Sequence, residues 1–86
     1  MNLYGCRKVR VFNGVTEGEV DRHGSYGYIE VENPGAKDAE FMVNEFLHQG
    51  HPGTTIKIKA GTTRAIPLTI YNFKSTEAVN IVAYGL

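Results

Sequence analysis

Residues 55–73 read TIKIKAGTTRAIPLTIYNF. Apolar and polar side chains alternate through Ile56, Ile58 and Ala60, with Lys57 and Lys59 on the opposite face. That period of two is the signature of a half-buried strand. Residues 60–63, Ala-Gly-Thr-Thr, form a connection of hairpin length. Alternation then resumes, with Ile66, Leu68 and Ile70 on one face and Pro67, Thr69, Tyr71 and Phe73 on the other. Proline cannot donate to a ladder, so inside a sheet it belongs at an edge, a bulge or a strand end. Pro67 lies opposite the Ile66–Leu68–Ile70 row and leaves that apolar face unbroken. The strand is therefore expected to run at an edge, or to be interrupted and change partner at Pro67. Strands that bend and switch sheets occur in sandwiches and jelly rolls.

Strand patterns extend outward from this stretch. Residues 8–13, KVRVFN, place Val9 and Val11 on one face and end at the turn signal Asn13-Gly14. Residues 15–27, VTEGEVDRHGSYG, carry three glycines and read as an exposed loop or frayed hairpin. Residues 28–33, YIEVEN, put Ile29 and Val31 opposite Tyr28, Glu30 and Glu32, and Pro34-Gly35 stops them. Residues 39–47, AEFMVNEFL, fit two readings. As a short helix capped by Asp38, they carry a stripe of Ala39, Met42, Val43, Phe46 and Leu47. As a strand they alternate through Phe41 and Val43, and the β pattern around them favours a strand through Asn44. Residues 48–54 read as loop. Residues 74–77, KSTE, are expected to turn the chain before a last strand, AVNIVAY, with Val79, Ile81 and Ala83 on its apolar face.

The expected fold is thus all-β: a single small β-sandwich, jelly-roll-like or partly open barrel of six to eight strands. A short helix near residues 39–47 is the variant. The domain spans residues 1–86, with residues 1–6 as an extended N-terminal arm. The expected core is Val9, Val11, Ile29, Val31, Phe41, Val43, Ile56, Ile58, Ile66, Leu68, Ile70, Val79 and Ile81.

At 86 residues there is room for one small domain, whose stability is marginal without partners, metals or disulfides. Nine basic and nine acidic residues cancel, which argues against nonspecific nucleic-acid binding through phosphate neutralisation. The charges are segregated. Arg7, Lys8 and Arg10 make the first ten residues +3; residues 17–45 hold eight acids and two bases; residues 57–77 return to +3. Separated signs suit docking on a charged partner or on a second copy. Cys6 is the only cysteine, so no internal disulfide forms, as expected of a protein made in a reducing cytoplasm. The N-terminal residues MNLYGCRKVRV lack the apolar core of a signal peptide, and no apolar run approaches a membrane span.

No motif names a reaction. His48 and His51 stand three apart in a Gly/Pro loop and His23 stands alone, short of the converging set a metal needs. Cys6 has no placed base, Glu30 and Glu32 share a strand face as solvated carboxylates commonly do, and no GxxxxGK phosphate loop is present. The chain is expected to be no enzyme and to need no cofactor. Aromatic residues are more suggestive. Tyr4, Tyr26, Tyr28, Tyr71, Phe73 and Tyr84, with the basic Arg7 and Lys8, are the interface candidates.

The C-terminal third, IKIKAGTTRAIPLTIYNFK followed by VNIVAYGL, resembles the ends of small β-rich structural proteins of tailed bacteriophage virions. The likeness lies in the IKIKAG strand, the short turn, the IPL strand and the final apolar strand, and it covers about 35 residues. It implies a capsid decoration (cement) protein or a head or tail accessory subunit, made in the host cytoplasm and carried in the virion. Its partners would be other protein subunits, including copies of itself, with neither nucleic acid nor membrane bound. A carbohydrate- or receptor-binding module, with Tyr26, Tyr28, Tyr71 and Phe73 stacked on sugars, is the alternative.

Overall fold

The computed structural model describes residues 8–44 and 53–86. Within them the protein is all-β, with six strands: β1 (Lys8–Glu19), β2 (Tyr26–Glu32), β3 (Ala39–Val43), β4 (Thr54–Ile58), β5 (Thr63–Ile66) and β6 (Asn72–Gly85). All belong to one sheet that curls on itself into a half-barrel, and every pairing is antiparallel.

The organising element is β6. Phe73 and Lys74 pair with both β1 and β3, and residues 81–85 lie against both β1 and β2. So β1 runs along one side of β6, while β3 and β2 share its other side end to end. Two wings grow from there, β3–β4 and β2–β5. Inward residues follow the odd positions along β6, with half-buried Glu77 the exception: Phe73, Ser75, Val79, Ile81, Ala83 and Gly85 are buried. The expected turn at residues 74–77 is therefore not a turn. The polar run is a bent stretch of strand, where Ser75 Oγ donates to Glu77 O (2.7 Å) and Thr76 Oγ1 accepts from Glu40 N (2.9 Å).

Two further expectations are corrected. Residues 15–19 continue β1 instead of forming a loop. A bulge with Gly14 at φ 64° shifts the register between Phe12 and Val15, so both side chains pack on the core despite their odd spacing. Gly18 lets β1 close on the Phe73 ring, since a Cβ there would lie 2.8 Å from Phe73 Cζ. Nor do β4 and β5 pair as a hairpin. Each is the outer strand of a different wing, and residues 59–62 join the two wing tips. Asn33, fully buried, occupies the junction. Its amide donates to Thr62 O (2.9 Å) and its carbonyl accepts from Gly61 N (2.8 Å). Its side-chain nitrogen donates to Ile58 O (3.0 Å) and Lys37 O (2.7 Å).

Pro67 sits where the alternation allowed: directly after β5, an outer strand that among the described residues pairs only with β2. From there residues 67–71 leave the sheet and cross to β6. The crossing is anchored by Ile70, fully buried, whose amide donates to Tyr26 O (2.9 Å). The ambiguous segment is a strand through Val43, and Asn44 ends it at φ 62°. Its Oδ1 accepts from Tyr71 N (2.8 Å) and its Nδ2 donates to Thr69 O (2.9 Å).

The core fills the curl: Ile29, Val31, Phe41, Val43, Ile58, Ile66, Ile70, Phe73, Val79 and Ile81, with Ile56 and Leu68 packed against it. Val9 and Val11, expected inside, are outside, at 50% and 59% exposure. Phe12 is the inward residue of that segment. The larger ring fills the curl beside Phe73 (centroids 5.2 Å apart, edge-on), and its face of β1 carries Lys8 and Arg10 over aromatic rings.

Candidate functional site

Four strands, in the order β1–β6–β2–β5, make one wall of the half-barrel. Its inner face carries Ile29, Val31, Ile66, Ile81 and Ala83, all buried. Side chains alternate across a strand, so the intervening residues form the outer face. The register sets them in rows. Val9 of β1 lies beside Tyr84 of β6, which lies beside Tyr28 of β2. Next come Val11, Val82, Glu30 and Ala65, and then Asn80, Glu32 and Thr63. Val9, Val11 and Ala65 are exposed, while Val82, Tyr28 and Tyr84 are half-buried. An aliphatic and aromatic strip therefore runs across β1, β6 and β2 on the solvent side.

Polar groups border the strip. The Tyr28 and Tyr84 rings meet edge-on, with centroids 5.9 Å apart and planes at 60°. The Tyr84 hydroxyl donates to the Glu30 carboxylate, and Asn80 Nδ2 donates to Glu32 Oε1 (2.9 Å). Asn80 Oδ1 in turn accepts from Gly14 N (2.8 Å), tying the β1 bulge to β6. Asn13, Glu30, Glu32, Thr63, Asn80 and Val82 border a groove of about 320 Å³. Both carboxylates thus serve as acceptors for donors of the neighbouring strand, on a wall that also presents valines and tyrosines.

At the β1 end, Lys8 Nζ donates to Ser25 Oγ and lies 4.7 Å from the Tyr26 ring centroid. Ser25 donates both its hydroxyl (2.7 Å) and its amide (2.8 Å) to Asp21 Oδ2. These bonds, the hydroxyl's first, hold the Asp21 carboxyl down from 3.8 to about 2. Arg10 donates to Val20 O (2.7 Å) and stacks 5.0 Å from the Phe12 ring centroid.

The interface candidates are divided by the fold. Tyr28 and Tyr84 come together on the outer wall, and Lys8 sits at its rim. Tyr26, 6% exposed, and Phe73, fully buried, are core residues and not interface rings. Phe73 stacks on Phe41 at 5.7 Å. The reason is positional: the chain leaves the sheet at Pro67, so the parity counted from Ile66 does not carry through to Phe73. Tyr71 is half-buried on the crossing segment, against Gly24. The four rings proposed as a sugar platform therefore do not share a surface. Tyr4 and Arg7, the arm over residues 1–6, Cys6, His48 and His51 lie outside the described residues. His23 is exposed. Among the described residues no group of three His, Cys, Asp or Glu side chains could hold a metal, and no helix is long and apolar enough to cross a membrane. Val9 and Val11 are surface residues that periodicity puts inside, whereas Val82, in phase with Asn80, lies outside as parity requires. The available signal was Phe12, an apolar residue out of phase with the valines and three positions before Val15 across Asn13-Gly14.

Compared with known proteins, the chain matches no family model, no curated protein and no solved structure.

Proposed function

We propose that the chain is a noncatalytic structural protein that binds other protein subunits of a large assembly, through the outer face of the β1–β6–β2–β5 wall. The observation that carries this reading is the strip of Val9, Val11, Val82, Tyr28 and Tyr84. Two of its valines are at least half exposed although the molecule has a filled core elsewhere. A contiguous apolar strip with tyrosines and a polar border has the composition of a protein interface. The buried positions of Tyr26 and Phe73 favour a protein partner over a sugar, because only Tyr28 of the four proposed stacking rings reaches this face. The finer reading is a capsid decoration or head or tail accessory protein of a tailed phage, carried in the virion. It takes its support from the resemblance of the C-terminal third and from the segregated charges.

The test is co-sedimentation. A virion subunit travels with particles through a density gradient at a fixed copy number. Val11→Lys and Val82→Lys, both outward, should move it to the free fraction while leaving its melting temperature within a few degrees, as surface substitutions do. A chain that stays free of particles rejects the virion reading. A glycan array hit abolished by Tyr28→Ala rejects the protein-partner reading in favour of the carbohydrate one.

A further inference from the structure

The same wall ends in an open strand edge. Among the described residues β1 pairs only with β6, so its other side presents unpaired backbone N–H and C=O groups over residues 8–12, up to the bulge at Asn13-Gly14. An open edge is a template for one more strand. We infer that this edge takes an extended segment of a different protein, in which apolar residues alternate with acidic ones. The inference rests on the protein-binding reading above and names the partner's chemistry.

The side chains of β1 determine that pattern. Val9 and Val11 point to the outer face, so residues set opposite them by an added strand would extend the apolar strip. Lys8, Arg10 and Phe12 belong to the other face. Arg10 is held by two backbone carbonyls, Val20 O at 2.7 Å and Glu19 O at 3.3 Å, and by the Phe12 ring. None of these neutralises its charge. A carboxylate directly across the strand would, and opposite charges in cross-strand pairs are favourable whereas like charges are not.

The same residues disfavour a second copy as the occupant. Self-pairing about a two-fold axis puts Arg10 against Arg10 when centred on that residue. Centred on Val9, it puts Lys8 against Arg10. Centred on Val11, it drives Val9 onto Asn13, where the bulge interrupts the ladder. Basic residues on an edge strand are a recognised guard against self-association. Here they also select the sign of the partner.

The experiment uses the full chain, isotope-labelled, and two synthetic peptides of equal length: alternating valine and glutamate, and alternating valine and lysine. The expected result is that the valine–glutamate peptide shifts the amides of residues 8–12 and binds at least about tenfold tighter than its lysine counterpart, a difference that weakens in high salt. Val11→Lys, at an exposed position that leaves the core intact, should abolish it, and Arg10→Glu should reverse the preference. Equal affinities, no shift at residues 8–12, or a dimer of the free chain in light scattering that is lost in Val11→Lys would each overturn the inference. Shifts confined to Tyr28, Val82 and Tyr84 would overturn the edge while leaving the docking face standing. Loss of particle co-sedimentation remains the separate test of that face.

Discussion

Replacing Asn33 with alanine tests the idea that one buried amide holds the two wings together. Its side chain makes three hydrogen bonds. It donates to Ile58 O at the end of β4 and to Lys37 O in the β2–β3 loop, and it accepts from Gly35 N (3.1 Å). Each contributes about 0.5–1.5 kcal/mol net, and a buried group left without a partner costs more than the mean. Lys37 and Gly35 are exposed, so water can replace the amide there. The Ile58 carbonyl lies on a buried residue and is served less well. The expected loss is about 2–4 kcal/mol. With a urea slope of about 1 kcal/mol per M for so small a domain, the midpoint should fall by about 2–4 M. The loss should be local in origin. Gly61 N donates to the Asn33 carbonyl, so its amide-exchange protection should drop before that of Ile81 or Ala83 in β6. Asn33→Asp should cost more at neutral pH than at pH 4. A carboxylate facing two carbonyls has a raised pKa in the folded state, so stability falls as pH rises through that value. A loss below about 1 kcal/mol for Asn33→Ala, or uniform loss of protection, would refute the clamp.

The remaining predictions concern the backbone and one carboxylate. Gly18→Ala brings a Cβ within 2.8 Å of the fully buried Phe73 ring and should cost about 1–3 kcal/mol in chemical denaturation, whereas Gly27→Ala, which meets nothing within 4 Å, should be neutral or stabilising. At Asn44, held at φ 62°, alanine should be less stable than glycine by about 1–2 kcal/mol, because both lose the side-chain bonds but only alanine bears the left-handed strain. Asp21 is held at about 2, so its contribution to stability is present above its ordinary 3.8 and fades as pH falls from there towards 2. Ser25→Ala should raise the Asp21 value in an NMR titration, but not fully, since the Ser25 amide still donates.

Parity was a sound guide wherever a strand ran unbroken. Ile29 and Val31, Phe41 and Val43, Val79 and Ile81 all point where a period of two put them, and all are buried. It failed where something reset the count. The bulge at Asn13-Gly14 let Phe12 and Val15 share a face, which turned Val9 and Val11 outward. The exit of the chain at Pro67 detached Phe73 from the row of Ile66. Composition misled in a different way. KSTE has the residues of a turn, yet Ser75 is small enough to face the core while its neighbours face water, so β6 continues through it with a local irregularity. The hairpin reading of residues 60–63 failed because loop length says nothing about which strands pair. The interposed partner is Asn33, nearly thirty residues away. The outer wall was accordingly half legible. Tyr28 and Tyr84 were named as residues, but their meeting with Val9, Val11 and Val82 depends on the register of three strands.

The irregular apolar pattern of β1 bears on its role. A strand buried on one face and closed on both edges would show clean alternation, as residues 29–32 of β2 do. Instead β1 has apolar residues in both phases, Val9 and Val11 outward and Phe12 inward. Burial within the chain accounts for only one of those phases. Aliphatic side chains in the other are costly in water unless a second body covers them, at about 25 cal/mol per Å² of apolar surface. An edge strand with exposed valines is also an aggregation hazard, and here the same five residues carry Lys8 and Arg10, which make self-pairing unfavourable. A strand that needed no partner would be better served by polar residues at 9 and 11, and one meant for copies of itself would be better served without the charges. The combination is what the proposed, oppositely charged partner strand would require. Exchanging Val9 and Val11 for threonines in the free chain should therefore cost little stability while weakening the capture of the valine–glutamate peptide. Equal loss of both would assign the valines to the fold alone.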